Sequence, residues 1–330
     1  MTFLDFFAGT GGFRKGLEQA GMTCVGHCEI DKFAERSYRA IFKIGGDEWF
    51  ADDIMAVLPA DLPRANLWCA GFPCQDISVA NATRPGLDGT RSGLFFEVIR
   101  LLDGLACETR PEWLVFENVR ALLEIHGGWD LFRILHSLAE RGYHCEYGVL
   151  DSSRFGVPQH RRRVFIVARR HIGAGCTRKT FPVPAGHGKT LWQLNERTSQ
   201  GKRIYDADGI SATLTAQGGN FAGKTGLYFV DLTTGRPRLT EHSRCLTTRI
   251  DGGVGKRKAE RSGVFAGGRV RKLTPREAWR LQGWPDDDFD KAAAVNSDAQ
   301  LYRQAGNGVT VNVVAAIGRQ IMLAQEAYEE

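Results

Sequence analysis

Along the first half of the chain, short apolar runs alternate with segments in which apolar residues recur at helical spacing. Phe3 to Phe7 reads as a buried strand, Gly11 to Ala20 begins a helix, and Cys24 to Cys28 reads as a second strand before a helical run through Phe42. Ala65 to Ala70 predicts a strand, Leu94 to Leu105 a helix, and Trp113 to Phe116 another strand. Leu131 to Glu140 has helical spacing, with Leu131, Ile134, Leu135 and Leu138 on one side, and Val164 to Ala168 is uninterrupted apolar chain. This rhythm predicts a mostly parallel sheet covered by helices. After Arg170 it breaks. Pro182, Pro184, Gly186, Gly188, Gly218-Gly219, Gly252-Gly253 and Gly267-Gly268 mark turns, so the segment reads as short strands joined by long loops. Order returns at Leu273. Thr274, with Pro275 next and Glu277 three residues on, predicts a capped helix. A final helix is expected from about Val311 to Ala327, led by a turn at Gly306-Asn-Gly308.

Charge sharpens this division. The chain of 330 residues carries only +5 overall, yet residues 161–280 hold 25 Lys and Arg against 8 Asp and Glu, a net of +17 that leaves −12 elsewhere. A basic module on an acidic body is the electrostatic form of a polyanion binder. The eight cysteines are scattered, and Cys24 and Cys28 lack the second nearby pair that a zinc site needs, so free structural thiols and no metal are expected. The chain opens on Thr-Phe-Leu-Asp-Phe-Phe, without a basic-then-apolar leader, and contains no stretch of about 18 uncharged apolar residues. Those features predict a protein of the reducing cytoplasm with no membrane contact.

Candidate chemistry clusters where strands end. Asp5 to Phe13 packs Gly9, Gly11 and Gly12 into the turn between the first strand and helix, where close backbone approach and free N–H groups suit a polar ligand. Glu29 ends the second strand, a position from which a carboxylate reaches ribose hydroxyls in nucleoside-binding folds. Asp53 reads either as a contact to an adenine amino group or as a cap for the segment starting at Ile54. Leu67 to Ser78 runs into a Gly-Phe-Pro turn carrying Cys74, which is a good place to present a nucleophile, and Glu117-Asn118-Val119 follows another apolar run.

In this order the motifs resemble the bacterial DNA (cytosine-5)-methyltransferases of small restriction-modification type. The likeness runs through Asp5–Phe13, Glu29, Asp53-Ile54, Gly71-Phe-Pro-Cys74-Gln-Asp-Ile-Ser78, Glu117-Asn118-Val119 and Gln159-His-Arg-Arg-Arg163. After the variable basic region it resumes in Leu273-Thr-Pro-Arg-Glu277 and Gln304-Ala-Gly-Asn-Gly-Val309. The resemblance implies an α/β, Rossmann-like S-adenosylmethionine-dependent sheet with an inserted smaller, mainly β target-recognition domain. Its division would be a catalytic domain over 1–180, completed by 301–330, with target recognition and hinge over 181–300.

It further implies methyl transfer from S-adenosyl-L-methionine, leaving S-adenosyl-L-homocysteine, to C5 of a cytosine flipped out of double-stranded DNA. Phe7, Gly9, Gly11, Gly12, Glu29, Asp53, Ile54, Pro73, Asn307 and Val309 would bind the cofactor. Cys74, Glu117, Arg161 and Arg163 would act on the base: Cys74 as a thiolate attacking C6, Glu117 holding N3 and the exocyclic amine, and Arg163 binding O2. Ser78, Asn81, Arg84 and Arg91 would belong to a closing loop over residues 78–93. Gln200, Arg203 and Thr213 fall in register with residues that fill the vacated helix, read guanine and grip phosphate. Gln217, where such relatives can carry an aromatic, and a basic insertion near 231–269 depart from that pattern. Arg244 and Arg249 would contact phosphate or base. A monomer, acting alone or beside a restriction endonuclease without stable complex, completes the expectation. A transfer-RNA methyltransferase, a catalytically silent DNA binder and a small-molecule methyltransferase are the competing readings; the last leaves the basic region unexplained.

Overall fold

The protein is described by a computed structural model covering residues 1–73, 85–89, 92–170, 180–181, 183–184, 228–231, 238–240, 243–244, 262–266, 269–271 and 273–329. Its first half alternates as the pattern predicts: β1 (Thr2–Phe6), α1 (Gly12–Gln19), β2 (Thr23–Cys28), α2 (Lys32–Ile41), β3 (Trp49–Ala51), β4 (Leu67–Ala70), α3 (Phe95–Asp103), β5 (Trp113–Val119) and α4 (Trp129–Ala139). There follow β6 (Tyr143–Asp151), β7 (Gln159–His160) and β8 (Arg162–Arg170). Among the described residues these build a seven-stranded sheet in the order β3-β2-β1-β4-β5-β8-β6. Its pairings are parallel from β3 through β5, and only β8 runs against its neighbours. The sheet is therefore mostly parallel, with one reversed strand next to its edge.

Both faces of the sheet are buried, because alternate residues of each strand point to opposite sides. Leu4, Phe6, Trp68, Ala70, Leu114 and Phe116 join α3 and α4 in one core. Phe3, Leu67, Cys69, Trp113 and Val115 join α1 and the last helix in the other. Burial on both sides accounts for the near-continuous apolar runs. β6 is different: it is an edge strand with Tyr147 and Val149 exposed, so its mixed sequence gives no such run.

The basic region contributes short strands. β9 (Tyr228–Asp231), β10 (Arg238–Thr240), β12 (Ser262–Ala266) and β13 (Arg269–Arg271) form a four-stranded antiparallel sheet, while β11 (Ser243–Arg244) pairs with β7. The chain then returns through α5 (Pro275–Arg280), α6 (Asp286–Ala293), α7 (Asp298–Asn307) and α8 (Val311–Glu329). The expected turn at Gly306-Asn-Gly308 is instead the last turn of α7, with Gly308 as its cap. Leu273, Trp279, Trp284 and Phe289 pack with Tyr38 and Ile41 of α2 and with Phe42, which caps it, so residues from 273 onward rest on the body built around the seven-stranded sheet.

The predicted cap is present in full. Glu277 N–H donates to Thr274 Oγ1 at 3.2 Å, and Thr274 N–H donates to Glu277 Oε2 at 2.8 Å. Thr274→Ala removes the first of these bonds and should cost about 1 kcal/mol. Thermal unfolding followed by circular dichroism should then show Tm lowered by roughly 1–3 °C, with the fold retained.

Candidate active site

Strand order reverses between β1 and β4, so the crossovers from these two neighbours lead away in opposite directions and leave a crevice at their carboxyl ends. The candidate residues gather along that edge. β1 delivers Phe7, whose φ of 56° is left-handed, a strained conformation for a bulky residue. It swings the chain into the glycine turn. Gly12 there has no room for a side chain: a Cβ would come within 2.8 Å of Val309 Cγ1 and 2.9 Å of Val309 O. The first motif and the penultimate helix link, nearly 300 residues apart in sequence, are thus in van der Waals contact.

Glu29 ties the end of β2 to the same turn. Its Oε2 accepts the Gly9 N–H at 2.7 Å and its Oε1 accepts the Asp31 N–H at 2.7 Å. Burial raises its pKa, and these two N–H donors partly offset that. Asp53 caps the short turn Ile54–Ala56 through Met55 N–H at 2.9 Å, the simpler of the two roles its sequence position allowed, and Ile54 is buried behind it.

The Gly71-Phe72-Pro73 turn leaves β4 beside β5. Asn118, itself buried, donates to Phe72 O at 3.2 Å and fixes the turn from the neighbouring strand. A Cβ at Gly71 would lie 3.9 Å from Glu117 Oε2, so this carboxylate flanks the turn that leads by one further peptide bond past Pro73 to Cys74. Glu117 and Arg163 share a face of the antiparallel β5–β8 pair as diagonal neighbours. Arg163 Nε stands 3.1 Å from Glu117 Oε1, an ion pair whose N–H is not aligned on the oxygen. A buried carboxylate oxygen with no aligned donor among the described residues marks a place where a ligand can bind.

Arg161 is placed against a different part of the site. It is buried, and its Nη2 donates to Gly306 O at 3.1 Å and Gly308 O at 2.8 Å. It thereby clamps the end of α7, where exposed Asn307 sits just before the Val309 that packs on Gly12. Arg244 lies in β11 as register partner of His160, with its backbone alone described. Cys74, Ser78, Asn81, Arg84, Arg91, Gln200, Arg203, Thr213, Gln217 and Arg249 lie outside the described residues.

The structure adds residues that sequence reasoning passed over. Ile30 is 72% exposed beside half-buried Glu29, an apolar surface at the crevice. Asp5 is fully buried within β1, with Cys69 Sγ donating to its Oδ1 at 3.5 Å. A carboxylate in the apolar run Phe3-Leu4-Asp5-Phe6 was the available signal. The thiols of Cys24 and Cys28 are buried, which pushes both pKa values up to about 12, as befits unreactive packing groups.

A family model described as C-5 cytosine-specific DNA methylase matches residues 1–323. The chain belongs to the C-5 cytosine-specific DNA methylases. This methylase is 33% identical to Type II methyltransferase M.NlaX of Neisseria lactamica over 329 residues, which span 99% of this chain and 98% of the relative. It is 31% identical to Type II methyltransferase M.HpaII of Haemophilus parainfluenzae, across 97% of this chain and 89% of the relative. In fold it is similar to the S. pombe Dnmt2 methyltransferase, with a TM-score of 0.64 and 18% identity over all of both chains. The Entamoeba histolytica methyltransferase EhMeth gives 0.65 at 16% identity, over 100% of this chain and 99% of that one. The methylase is accordingly a DNA cytosine-5-methyltransferase of α/β fold, resembling bacterial restriction-modification enzymes. Among its described residues no helix is long and apolar enough to cross a membrane.

Burial pushes the Asp5 pKa up to about 7. A carboxyl raised above its unfolded value stabilises the fold below the unfolded pKa and loses that contribution as pH rises through the folded one. Urea unfolding between about pH 4 and pH 8 should therefore show a loss on the order of a few kcal/mol. Asp5→Asn should flatten that slope; an equally steep slope in the variant would assign it elsewhere.

Proposed function

We propose that the methyl donor is S-adenosyl-L-methionine and that the acceptor is a cytosine flipped out of a short specific sequence in double-stranded DNA, activated by a transient bond from Cys74 Sγ to C6. The observation that carries this reading is the convergence on one crevice of the Gly9–Gly12 turn, Glu29, the turn before Cys74 and the Glu117–Arg163 pair. The residues present suit the cofactor. Gly12 closed by Val309 makes a thin wall for close approach, and each Glu29 oxygen keeps a lone pair beyond its N–H bond for a ribose hydroxyl. Phe7 and Ile30 offer apolar surface for a flat ring, with the largely buried Ile54 at the base of that side, Asp53 is the candidate partner for its amino group, and Pro73, Asn307 and Val309 line the remaining side. When bound, the cofactor supplies a methyl group on a sulfonium.

The chain's own task is to make C5 able to accept that methyl. Cytosine is too weak a carbon nucleophile by itself. Addition of the Cys74 thiolate to C6 breaks the C5–C6 double bond and moves its electron pair onto C5 and the ring. Glu117 holds N3 and the exocyclic amine as that charge develops, and Arg163 donates to O2. After methylation the C5 proton leaves to a base, the double bond re-forms, and the sulfur departs as thiolate. Arg161 supports this site from behind, through the carbonyls on either side of Asn307.

Such a pocket is closed to a stacked base, so flipping is a steric requirement. Ser78, Asn81, Arg84 and Arg91 are the candidates for closing over the DNA. Gln200, Arg203, Thr213, Gln217, Arg244 and Arg249 are the candidates for reading and gripping it, within a target-recognition module in the +17 region. We take the catalytic domain as 1–180 completed by 301–330, with target recognition and hinge in 181–300. The protein is expected to act as a cytoplasmic monomer, with any cognate endonuclease working separately.

Bisulfite sequencing of plasmid DNA from cells expressing the protein tests this directly. Cytosines protected in one recurring context, and unprotected with Cys74→Ser, are the expected result. Complete absence of protected context from soluble wild-type protein would contradict it and favour transfer RNA as substrate.

A further inference from the structure

Beneath the glycine turn lies a row of charged groups, with His27 and Arg14 buried within it, that the proposed chemistry does not use. His27, on β2, is fully enclosed. Its Nε2 is hydrogen-bonded to Glu35 Oε2 on α2 at 2.9 Å, and its Nδ1 faces Glu48 Oε1, in the segment leading to β3, at an ion-pair distance of 3.4 Å without an aligned hydrogen bond. Glu48 Oε1 accepts from Arg14 Nη1 of α1 at 2.6 Å, and Arg14 Nε donates to Glu18 Oε1 at 2.8 Å. At the other end, Arg39 Nε meets Glu35 Oε1 at 2.5 Å. With His27 protonated, the six groups Arg39, Glu35, His27, Glu48, Arg14 and Glu18 alternate in sign from one surface to the other.

A neutral imidazole carries one N–H and can donate to one carboxylate only; the imidazolium donates to both. Burial pulls the His27 pKa down, but Glu35 and Glu48 outweigh burial and the net direction is up. The other groups against it are Asp5 of β1, its register partner, whose pKa burial raises to about 7, and Tyr38 of α2, stacked on it at 3.9 Å. Phe50 of β3 lies 5.0 Å away, and Cys24 reaches the Tyr38 hydroxyl at 3.7 Å.

Three contacts join this row to the turn above. Gly11 rests on Phe42 and Tyr38, where a Cβ would come within 2.3 Å and 2.9 Å of their rings. The Arg14 guanidinium covers Phe42 at 4.5 Å from its centroid. Glu29, two residues beyond His27 on the same strand, holds the Gly9 N–H.

We propose that protonated His27 is a positioning residue for the cofactor site: by bridging Glu35 and Glu48 it clamps α2 and the Glu48 segment against α1, and so keeps the Gly9–Gly12 turn in its binding shape. The functional half rests on the reading of that turn as the cofactor cradle. The clamp is complete below the ordinary imidazole pKa of about 6.5 and is lost as pH rises through the raised folded value.

Amide hydrogen exchange of peptides covering residues 8–15, in the full chain without cofactor and corrected for intrinsic rates, reads the clamp itself. Wild type should lose protection roughly tenfold as pH rises from about 6 to about 9. His27→Gln should abolish this transition by exchanging fast throughout. Glu35→Gln, which withdraws one negative neighbour and leaves the imidazole, should move the midpoint to lower pH. An unchanged midpoint in Glu35→Gln, or full protection in His27→Gln at about pH 6, overturns the proposal. Should His27→Gln fail to fold, the Glu35→Gln midpoint decides alone. Calorimetric titration with S-adenosyl-L-homocysteine separates the two layers: roughly tenfold weaker binding of His27→Gln than wild type at about pH 6 supports the functional half. A wild type that takes up none of the ligand overturns the cofactor reading while the exchange transition stands.

Discussion

Two adjacent parallel strands, β1 and β4, send their chains in opposite directions, and the site depends on this divergence. Parallel neighbours need crossovers over the faces of the sheet, so the point where crossovers part is left uncovered at the carboxyl edge. Into that gap β1 places the strained Phe7 and the glycine turn, and β4 places the turn ahead of Cys74. β2 and β5 supply a carboxylate on either side, Glu29 and Glu117. The residues proposed to hold cofactor and base are thereby gathered at one edge by backbone topology.

Three polar side chains fasten the walls of the crevice to backbone. Glu29 fastens one turn, Asn118 another, and Arg161 fixes the far wall through the carbonyls at the end of α7. Buried polar groups of this kind cost desolvation unless each finds its partner, so they fix one arrangement in place of several similar ones. The Glu117–Arg163 pair adds a buried carboxylate oxygen, Glu117 Oε1, that lacks an aligned donor among the described residues.

Elements buried on both sides were readable as sequence: β4, β5 and β8 carry continuous apolar runs, and β1 and β2 carry runs broken only by Asp5 and by Gly26-His27. β6 was not, as half of it faces solvent at the sheet edge, and three-residue β3 is too short to show a period. The end of α7 misled for a tertiary reason: Gly306 and Gly308 suggest a turn, yet Arg161 accepts that segment as helix by binding its carbonyls. Thr274 with Glu277 was legible since a capping box is wholly local. In the site, strand-end motifs could be located, but the contact of Gly12 with Val309 and the alternating charges around His27 come from residues far apart in sequence. Arg161 and Arg163, two positions apart, also read alike until the fold sent them to different partners.

The covalent role of Cys74 is the centre of this account, and a duplex carrying 5-fluorocytosine at the protected position tests it. Fluorine on C5 cannot leave as a cation, so after methylation no proton is available for removal and the sulfur stays bonded to C6. With S-adenosyl-L-methionine present, peptide mass spectrometry should find the modified base on the peptide containing Cys74. Adduct on a different residue, or turnover of the fluorinated duplex without any adduct, would contradict the account.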